Sequence, residues 1–214
     1  MKPYYQDEWV TIYHGRWQDI PFPLFFSLVL TDPPYGIKRD KGFTGHGGFG
    51  KPIARRKYDN NWDGDRPSGE DLRKLAAMGE NAIIWGGNFF ADLLPRSTHW
   101  IFWDKMQTMP SFSDGELAWT NIKRKSVAKV TIQWNGLLGR ESGRFHPTQK
   151  PLKLMEWCID RYSAKGDLIF DAYAGSGTTG RAAKNLGRHC IMVEMEEKDC
   201  EIAAKRCAQE VLEF

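Results

Sequence analysis

The chain has 214 residues, 41% of them hydrophobic and 13% aromatic, with 30 basic and 27 acidic side chains and a net charge of +3. That length and apolar content suit one large α/β domain over residues 1–214. No apolar run of about 18 residues is present, which excludes a membrane-spanning helix from the reading. The opening MKPYYQDEWVTIYHG lacks the apolar core of an export signal. Cys158, Cys190, Cys200 and Cys207 form no C-x-x-C pair, and the five histidines show no ligand spacing. Reduced thiols, a cytoplasmic setting and no metal site are therefore expected.

In chain order, Trp9 to Tyr13 and Phe26 to Thr31 read as short strands. The second runs into Asp32-Pro33-Pro34-Tyr35, where ring-locked residues cannot extend a ladder. A long glycine-rich, basic loop follows over 36–67. Ser68 is a helix cap, with Glu70 and Asp71 in the first turn. Strands follow at Asn81 to Trp85, His99 to Trp103, Glu116 to Thr120 and Lys129 to Trp134. Pro151 takes a first helical position, Leu152, Met155, Ile159 and Tyr162 keep helical spacing, and Gly166 ends that helix. A strand over Asp167 to Asp171, a helix over Gly177 to Leu186, a strand over Cys190 to Glu194 and a last helix over Glu197 to Leu212 complete the chain. The alternation predicts a doubly wound, mostly parallel sheet.

Two patterns carry chemistry. Gly175, Gly177 and Gly180 fit G-x-G-x-x-G between a strand and a helix, with Glu194 closing the next strand. Glycines admit a ligand to the backbone, and an acid at that strand end can accept bonds from ribose hydroxyls. GHGGFG at 45–50 matches the same pattern without the flanking elements and reads as chance. Asp171, just before the glycines, repels a pyrophosphate and suits a cationic ligand. That favours S-adenosylmethionine over NAD. The second pattern is charge. Lys38, Arg39, Lys41, Arg55, Arg56 and Lys57 crowd one loop, and Lys123, Arg124, Lys125, Arg140 and Arg144 crowd another segment. They read either as solvated loops or as a phosphate-facing surface.

Asp32-Pro33-Pro34-Tyr35, the loop from Asp171 to Thr179 and FHPTQKP at 145–151 together resemble the amino-methyltransferases of DNA, the N6-adenine and N4-cytosine family. The order, catalytic motif before cofactor loop, resembles their beta class, a circular permutation. FSDGELAWT at 112–120 is similar to a stretch in phage-type adenine methyltransferases, although its acids suggest no chemistry by themselves. The resemblance implies a permuted Rossmann-like fold, with a catalytic half over 1–145 and a cofactor-binding half over 146–214. It implies S-adenosylmethionine as cofactor and a flipped-out adenine as substrate. Asp32 and the carbonyl of Pro33 or Pro34 would accept the two amine N–H groups, and Tyr35 would stack on the base. Asp171, Ala172, Tyr173, Gly175, Gly177, Thr178, Thr179 and Glu194 would lie at the cofactor. Lys150 and Thr148 would reach its methionine end, and His14 and Gly15 would help through backbone. Trp85, Asn88 and Phe89 are candidate walls or simply core. Many relatives carry a sizeable recognition domain, for which this chain leaves little room. A short site, relaxed specificity or a homodimer sharing reading surfaces follows. N4-cytosine in DNA, adenine in RNA, an NAD-dependent oxidoreductase and a non-catalytic nucleic-acid module stay open. Restriction protection, regulation and phage defence fit equally.

Overall fold

The structure is a computed structural model that describes residues 2–21, 25–37, 66–107, 113–134 and 149–210. The loop basics Lys38, Arg39, Lys41, Arg55, Arg56 and Lys57, together with Arg140, Arg144, Thr148 and the glycines of 45–50, lie outside the described residues.

Among the described residues nine strands form one sheet: β1 Tyr5–Gln6, β2 Val10–His14, β3 Phe26–Thr31, β4 Gly79–Trp85, β5 His99–Asp104, β6 Gly115–Thr120, β7 Ser126–Thr131, β8 Leu168–Asp171 and β9 His189–Glu194. Among the same residues four α-helices flank it: α1 Gly69–Ala77, α2 Leu152–Tyr162, α3 Thr178–Asn185 and α4 Glu197–Cys207. The strand order is β1-β2-β9-β8-β3-β4-β6-β5-β7. From β2 to β4 every pairing is parallel, whereas β6 runs antiparallel to both β4 and β5. The predicted α/β doubly wound architecture is therefore present, with an antiparallel strand inserted beyond β4.

Local chemistry explains the elements. In β3, Phe26, Leu28, Val29, Leu30 and Thr31 are all buried, as a central strand covered on both faces requires. The Ser68 hydroxyl accepts from the Asp71 N–H at 3.0 Å, capping α1, and Leu72, Leu75 and Ala76 form its buried stripe. Along α2, Leu154, Met155, Cys158, Ile159 and Tyr162 face inward. Two apolar clusters result. One joins α2, α3 and α4 to the sheet through Leu28, Leu30, Ile83 and Met192. The other joins α1 to the opposite face through Phe26, Val29, Ile84 and Phe170, with Phe26 stacked on Phe170 at 4.7 Å.

Several boundaries differ from the sequence expectation. The predicted strand at Lys129 to Trp134 starts earlier, at Ser126, because β7 is a sheet edge where only Val130 is buried and alternation is faint. Ile132 and Trp134 still bond back to the Asp104 and Lys105 carbonyls. Pro151 is the residue before α2, not its first. That helix ends at Tyr162, and Gly166, at φ +82°, makes the following turn. The last helix stops at Cys207, and the short β1 carries too few residues for a periodic signal.

Chain order reverses between β8 and β3. From β8 the chain steps outward to β9, and from β3 it steps the other way to β4. A ligand crevice is expected outside the carboxyl ends of the strands at such a switch point. The ends that meet there are His14, Thr31, Trp85, Asp171 and Glu194, joined by the start of β6.

Candidate active site

The Thr31 hydroxyl donates to Asp171 Oδ1 at 2.8 Å, which clamps β3 to β8 directly under the reversal. Asp171 also accepts from the Thr179 hydroxyl at 2.6 Å and from the Tyr173 N–H at 3.1 Å. Burial pushes its carboxyl up to about 6, although those three bonds pull the other way. Asp171 is 3% exposed, and its carboxyl group holds the glycine turn through these three bonds.

The glycines divide by function. Gly175 has φ +49°, and a Cβ built there meets nothing within 4 Å. A Cβ on Gly177 would come within 2.7 Å of Ala203 Cβ in α4, and one on Gly180 within 2.4 Å of the Met192 methyl in β9. Gly175 thus keeps open space above the turn, while the other two let α3 pack. Glu194 Oε2 accepts from the Gly175 N–H at 2.7 Å, and Oε1 accepts from the Glu196 N–H at 2.9 Å. Burial outweighs both bonds and pushes its carboxyl up to about 7. The Gly15 N–H donates to the Glu194 carbonyl at 2.9 Å, and His14 Nε2 lies 3.0 Å from the Met195 carbonyl. His14, Gly15, Gly175 and Glu194 are thereby brought together. Ala172 is buried, the Tyr173 hydroxyl meets Trp17 Nε1 at 3.4 Å, and the Thr178 hydroxyl accepts from Arg206 at 2.8 Å. These three brace the loop.

Across the reversal, Asp32 to Tyr35 directly follows β3. The Tyr35 hydroxyl donates to Asp32 Oδ1 at 2.6 Å. The ring stacks on Phe89 at 4.8 Å and meets Phe90 edge-on at 6.0 Å. Gly86, at φ +73°, makes this possible, because a Cβ there would lie 2.1 Å from the Tyr35 ring. Tyr35, Gly86, Asn88, Phe89, Phe102 and Glu116 line a pocket of about 210 Å³. That is smaller than the ~300–1,000 Å³ typical of drug-sized ligands and of a size for a single heterocycle. Phe89 and Asn88 are walls of this pocket, whereas Trp85 is core.

Lys150 departs from its assignment. Its ammonium does not stand free for a ligand carboxylate. It sits 2.5 Å from Asp32 Oδ2, 3.2 Å from Glu116 Oε2 and 3.1 Å from the Tyr35 hydroxyl. Burial alone would lower its pKa, but Asp32 and Glu116 raise it above the ordinary lysine value. Its neighbour Gln149 accepts from the Ser176 hydroxyl at 3.1 Å, so the segment 149–151 straddles both halves of the site. Glu116 also accepts from Lys105 at 2.5 Å. Burial pushes Glu116 up, yet Lys150 and Lys105 overcome it and hold the carboxyl down at about 2. Sequence reasoning missed Glu116 and Lys105, since only the antiparallel pairing of β6 with β4 and β5 brings residue 116 into the pocket lining with Gly86.

The basic segments separate. β6 runs away from the site, so Lys123, Arg124 and Lys125 stand at the opposite edge of the sheet, where Asn121 bonds the Gly79 and Glu80 carbonyls at the start of β4. These three do not join the site edge. By contrast, the described flanks of 38–65 meet at the site edge. Gly36 adjoins Arg66, which pairs with Asp92 at 2.7 Å and donates to the Phe89 carbonyl. Among the described residues no group of His, Cys, Asp and Glu could hold a metal ion, and no helix is long and apolar enough to cross a membrane.

Comparison with known proteins gives the same picture. A family described as DNA methylase matches residues 100–205. The chain is 36% identical over 115 residues to the Type II methyltransferase M2.DpnII of Streptococcus pneumoniae, a match covering 54% of this chain and 38% of that protein. It is 27% identical over 259 aligned positions to M2.LlaDCHI of Lactococcus lactis subsp. cremoris, covering 96% of this chain and 91% of the relative. Among solved structures, the complex of M1.HpyAVI with SAM superposes with a TM-score of 0.61 at 23% identity, covering 94% of this chain and all of that one. The cytosine-N4-specific PvuII DNA methyltransferase superposes at 0.63 and 16% identity, covering 99% of this chain and 91% of the other.

Proposed function

We propose that this chain is a DNA amino-methyltransferase and transfers the methyl group of S-adenosylmethionine to the exocyclic N6 amine of adenine in DNA. The observation that carries the reading is the meeting of two half-sites across one strand reversal. Asp32 and the aromatic pocket end β3 and β4, while the open glycine turn and Glu194 end β8 and β9.

The residues present fit the cofactor. The space above Gly175 admits it, Glu194 is placed for its ribose hydroxyls, and the carboxylates of Asp32 and Asp171 give a field that suits a sulfonium and opposes a pyrophosphate. When bound, S-adenosylmethionine supplies an electrophilic methyl group. The chain does the rest. Asp32 accepts one N–H of the target amine, and the carbonyl of Pro33 or Pro34, held by the fixed φ of proline, accepts the other. These bonds pull the amine out of conjugation. Tyr35, braced by Phe89 and Gly86, stacks against the base. With the cofactor bound, N6 would take up its methyl group, and Asp32 would accept the surplus N6 proton and pass it to water. A paired base cannot enter a pocket of this kind, so the base is flipped out, at a cost of a few kcal/mol. We assign the phosphate contacts to Lys38, Arg39, Lys41, Arg55, Arg56, Lys57, Arg140 and Arg144, whose segments leave and rejoin the fold at the site edge.

Adenine is favoured over cytosine because Asp32 opens the motif, as in the adenine enzymes that the sequence resembles. Incubation of unmethylated genomic DNA with S-adenosylmethionine, followed by nucleoside mass spectrometry, tests this. N6-methyladenosine supports the reading. N4-methylcytosine keeps the chemistry and changes the base, and unmodified DNA refutes the proposal.

A further inference from the structure

Glu116 comes into the site at the start of β6 and has no part in the scheme above. Its Oε1 accepts from Lys105 at 2.5 Å, its Oε2 lies 3.2 Å from Lys150 Nζ, and the Tyr35 hydroxyl is 3.4 Å from the same oxygen. Lys150 Nζ is in turn 2.5 Å from Asp32 Oδ2. Two carboxylates therefore share one ammonium. The side chains of Glu116, Asp32 and Lys150 are 17, 22 and 6% exposed, so little water screens them. The charged groups that face this cluster are Asp32 and Tyr35 after β3, Lys105 after β5, Lys150 before α2 and, behind Asp32, Asp171 of β8.

The arrangement resolves a conflict. Asp32 has to accept an amine N–H, yet Tyr35 already holds Oδ1 and Lys150 holds Oδ2. A carboxylate offers about four acceptor positions, so room remains. An ammonium seated on Oδ2 nevertheless draws off the charge that the amine needs. Glu116 offers that ammonium a second seat close by. We infer that Glu116 is a positioning residue for methyl transfer, which takes Lys150 over from Asp32 as the target amine claims that carboxylate. Lys105 anchors Glu116 for this task, lying 4.8 Å above the Trp103 ring. The inference rests on the proposed adenine methylation.

Glu116→Gln keeps the shape and removes the charge. With tritiated S-adenosylmethionine and sheared unmethylated genomic DNA, the single-turnover rate should fall on the order of tenfold to a hundredfold, since a misplaced group near the chemistry costs that much. KM for cofactor and DNA, and the Kd for S-adenosylhomocysteine, should stay within about twofold, and Glu116→Asp should restore most of the rate. A merely structural role would instead raise KM and weaken S-adenosylhomocysteine binding together. Wild-type turnover in Glu116→Gln, a loss of binding in parallel with rate, or no recovery in Glu116→Asp overturns the inference and leaves the proposed function intact. A wild-type protein that labels no DNA overturns both.

Discussion

Cofactor affinity should rise with pH, and Glu194 is the reason. Its carboxyl is pushed by burial from an ordinary 4.5 up to about 7, with two backbone N–H groups already on its oxygens. For a pKa near 7, about a tenth of the carboxyl is ionised at pH 6 and about nine-tenths at pH 8. A ribose diol donates two O–H groups, and hydrogen bonds to a charged acceptor are worth about 1.5–3 kcal/mol each against ~1 for a neutral one. The Kd for S-adenosylhomocysteine should therefore fall by up to about tenfold, or ~1.4 kcal/mol, between pH 6 and pH 8. Proton release on binding should be evident at pH 6 and fade by pH 8. The sign for folding is opposite. A raised acid pKa favours the native state while the group is protonated, so its contribution is full below about 4.5 and is lost as pH rises through about 7. Titration calorimetry at pH 6, 7 and 8, in buffers of different ionisation enthalpy, reads both quantities. Glu194→Gln should bind roughly 10- to 100-fold more weakly at pH 8 and lose the pH slope, because one of two backbone N–H groups also loses its acceptor. A flat wild-type profile, or a Gln variant that keeps the slope, refutes the reasoning.

Further outcomes follow from the geometry. Gly177→Ala should cost about 2–4 kcal/mol in urea unfolding, through a left-handed φ of +75° and the 2.7 Å approach to Ala203. Gly175→Ala, with open space around it, should cost only about 1–2 kcal/mol yet weaken cofactor binding more, and the reverse order would contradict the division of the glycines. Tyr35→Phe keeps the stack on Phe89 and loses the bond to Asp32, so the single-turnover rate should drop about tenfold with Tm nearly unchanged. Replacing Lys123, Arg124 and Lys125 together with Ser should leave the salt slope of DNA binding nearly unchanged. A fall in that slope of about 3 would place them on the DNA after all.

The parts of the fold that could be read in advance are those whose signal is local. β3 announces itself by the buried run Leu28 to Thr31 followed by Pro33 and Pro34, and α1 by the Ser68 cap and its acidic first turn. The same holds for half of the site. Asp32 and the turn with Gly175 follow the ends of β3 and β8, and Glu194 ends β9, all in one parallel set, so their convergence follows from topology. What sequence alone leaves hidden depends on pairing. β7 lies at an edge where most side chains face solvent, and its start is blurred. Glu116 gains its importance only because β6 runs antiparallel, and the same direction carries Lys123, Arg124 and Lys125 to the far edge. Lys150 looks from its motif like a ligand contact. The partner it finds, Asp32, lies 118 positions earlier, and no periodicity joins the two. Gly177 and Gly180 fit a ligand fingerprint but are required by Ala203 and Met192, so one motif serves packing and binding at once.

The central claim is that Asp32 activates the amine without holding either partner. Asp32→Ala is the direct test, with methylated nucleosides in DNA measured by mass spectrometry beside Kd values for DNA and S-adenosylhomocysteine. Methyl transfer should fall by at least ~10² while both affinities stay within about threefold. A variant that still methylates at near the wild-type rate, or one that loses binding along with turnover, would contradict the account.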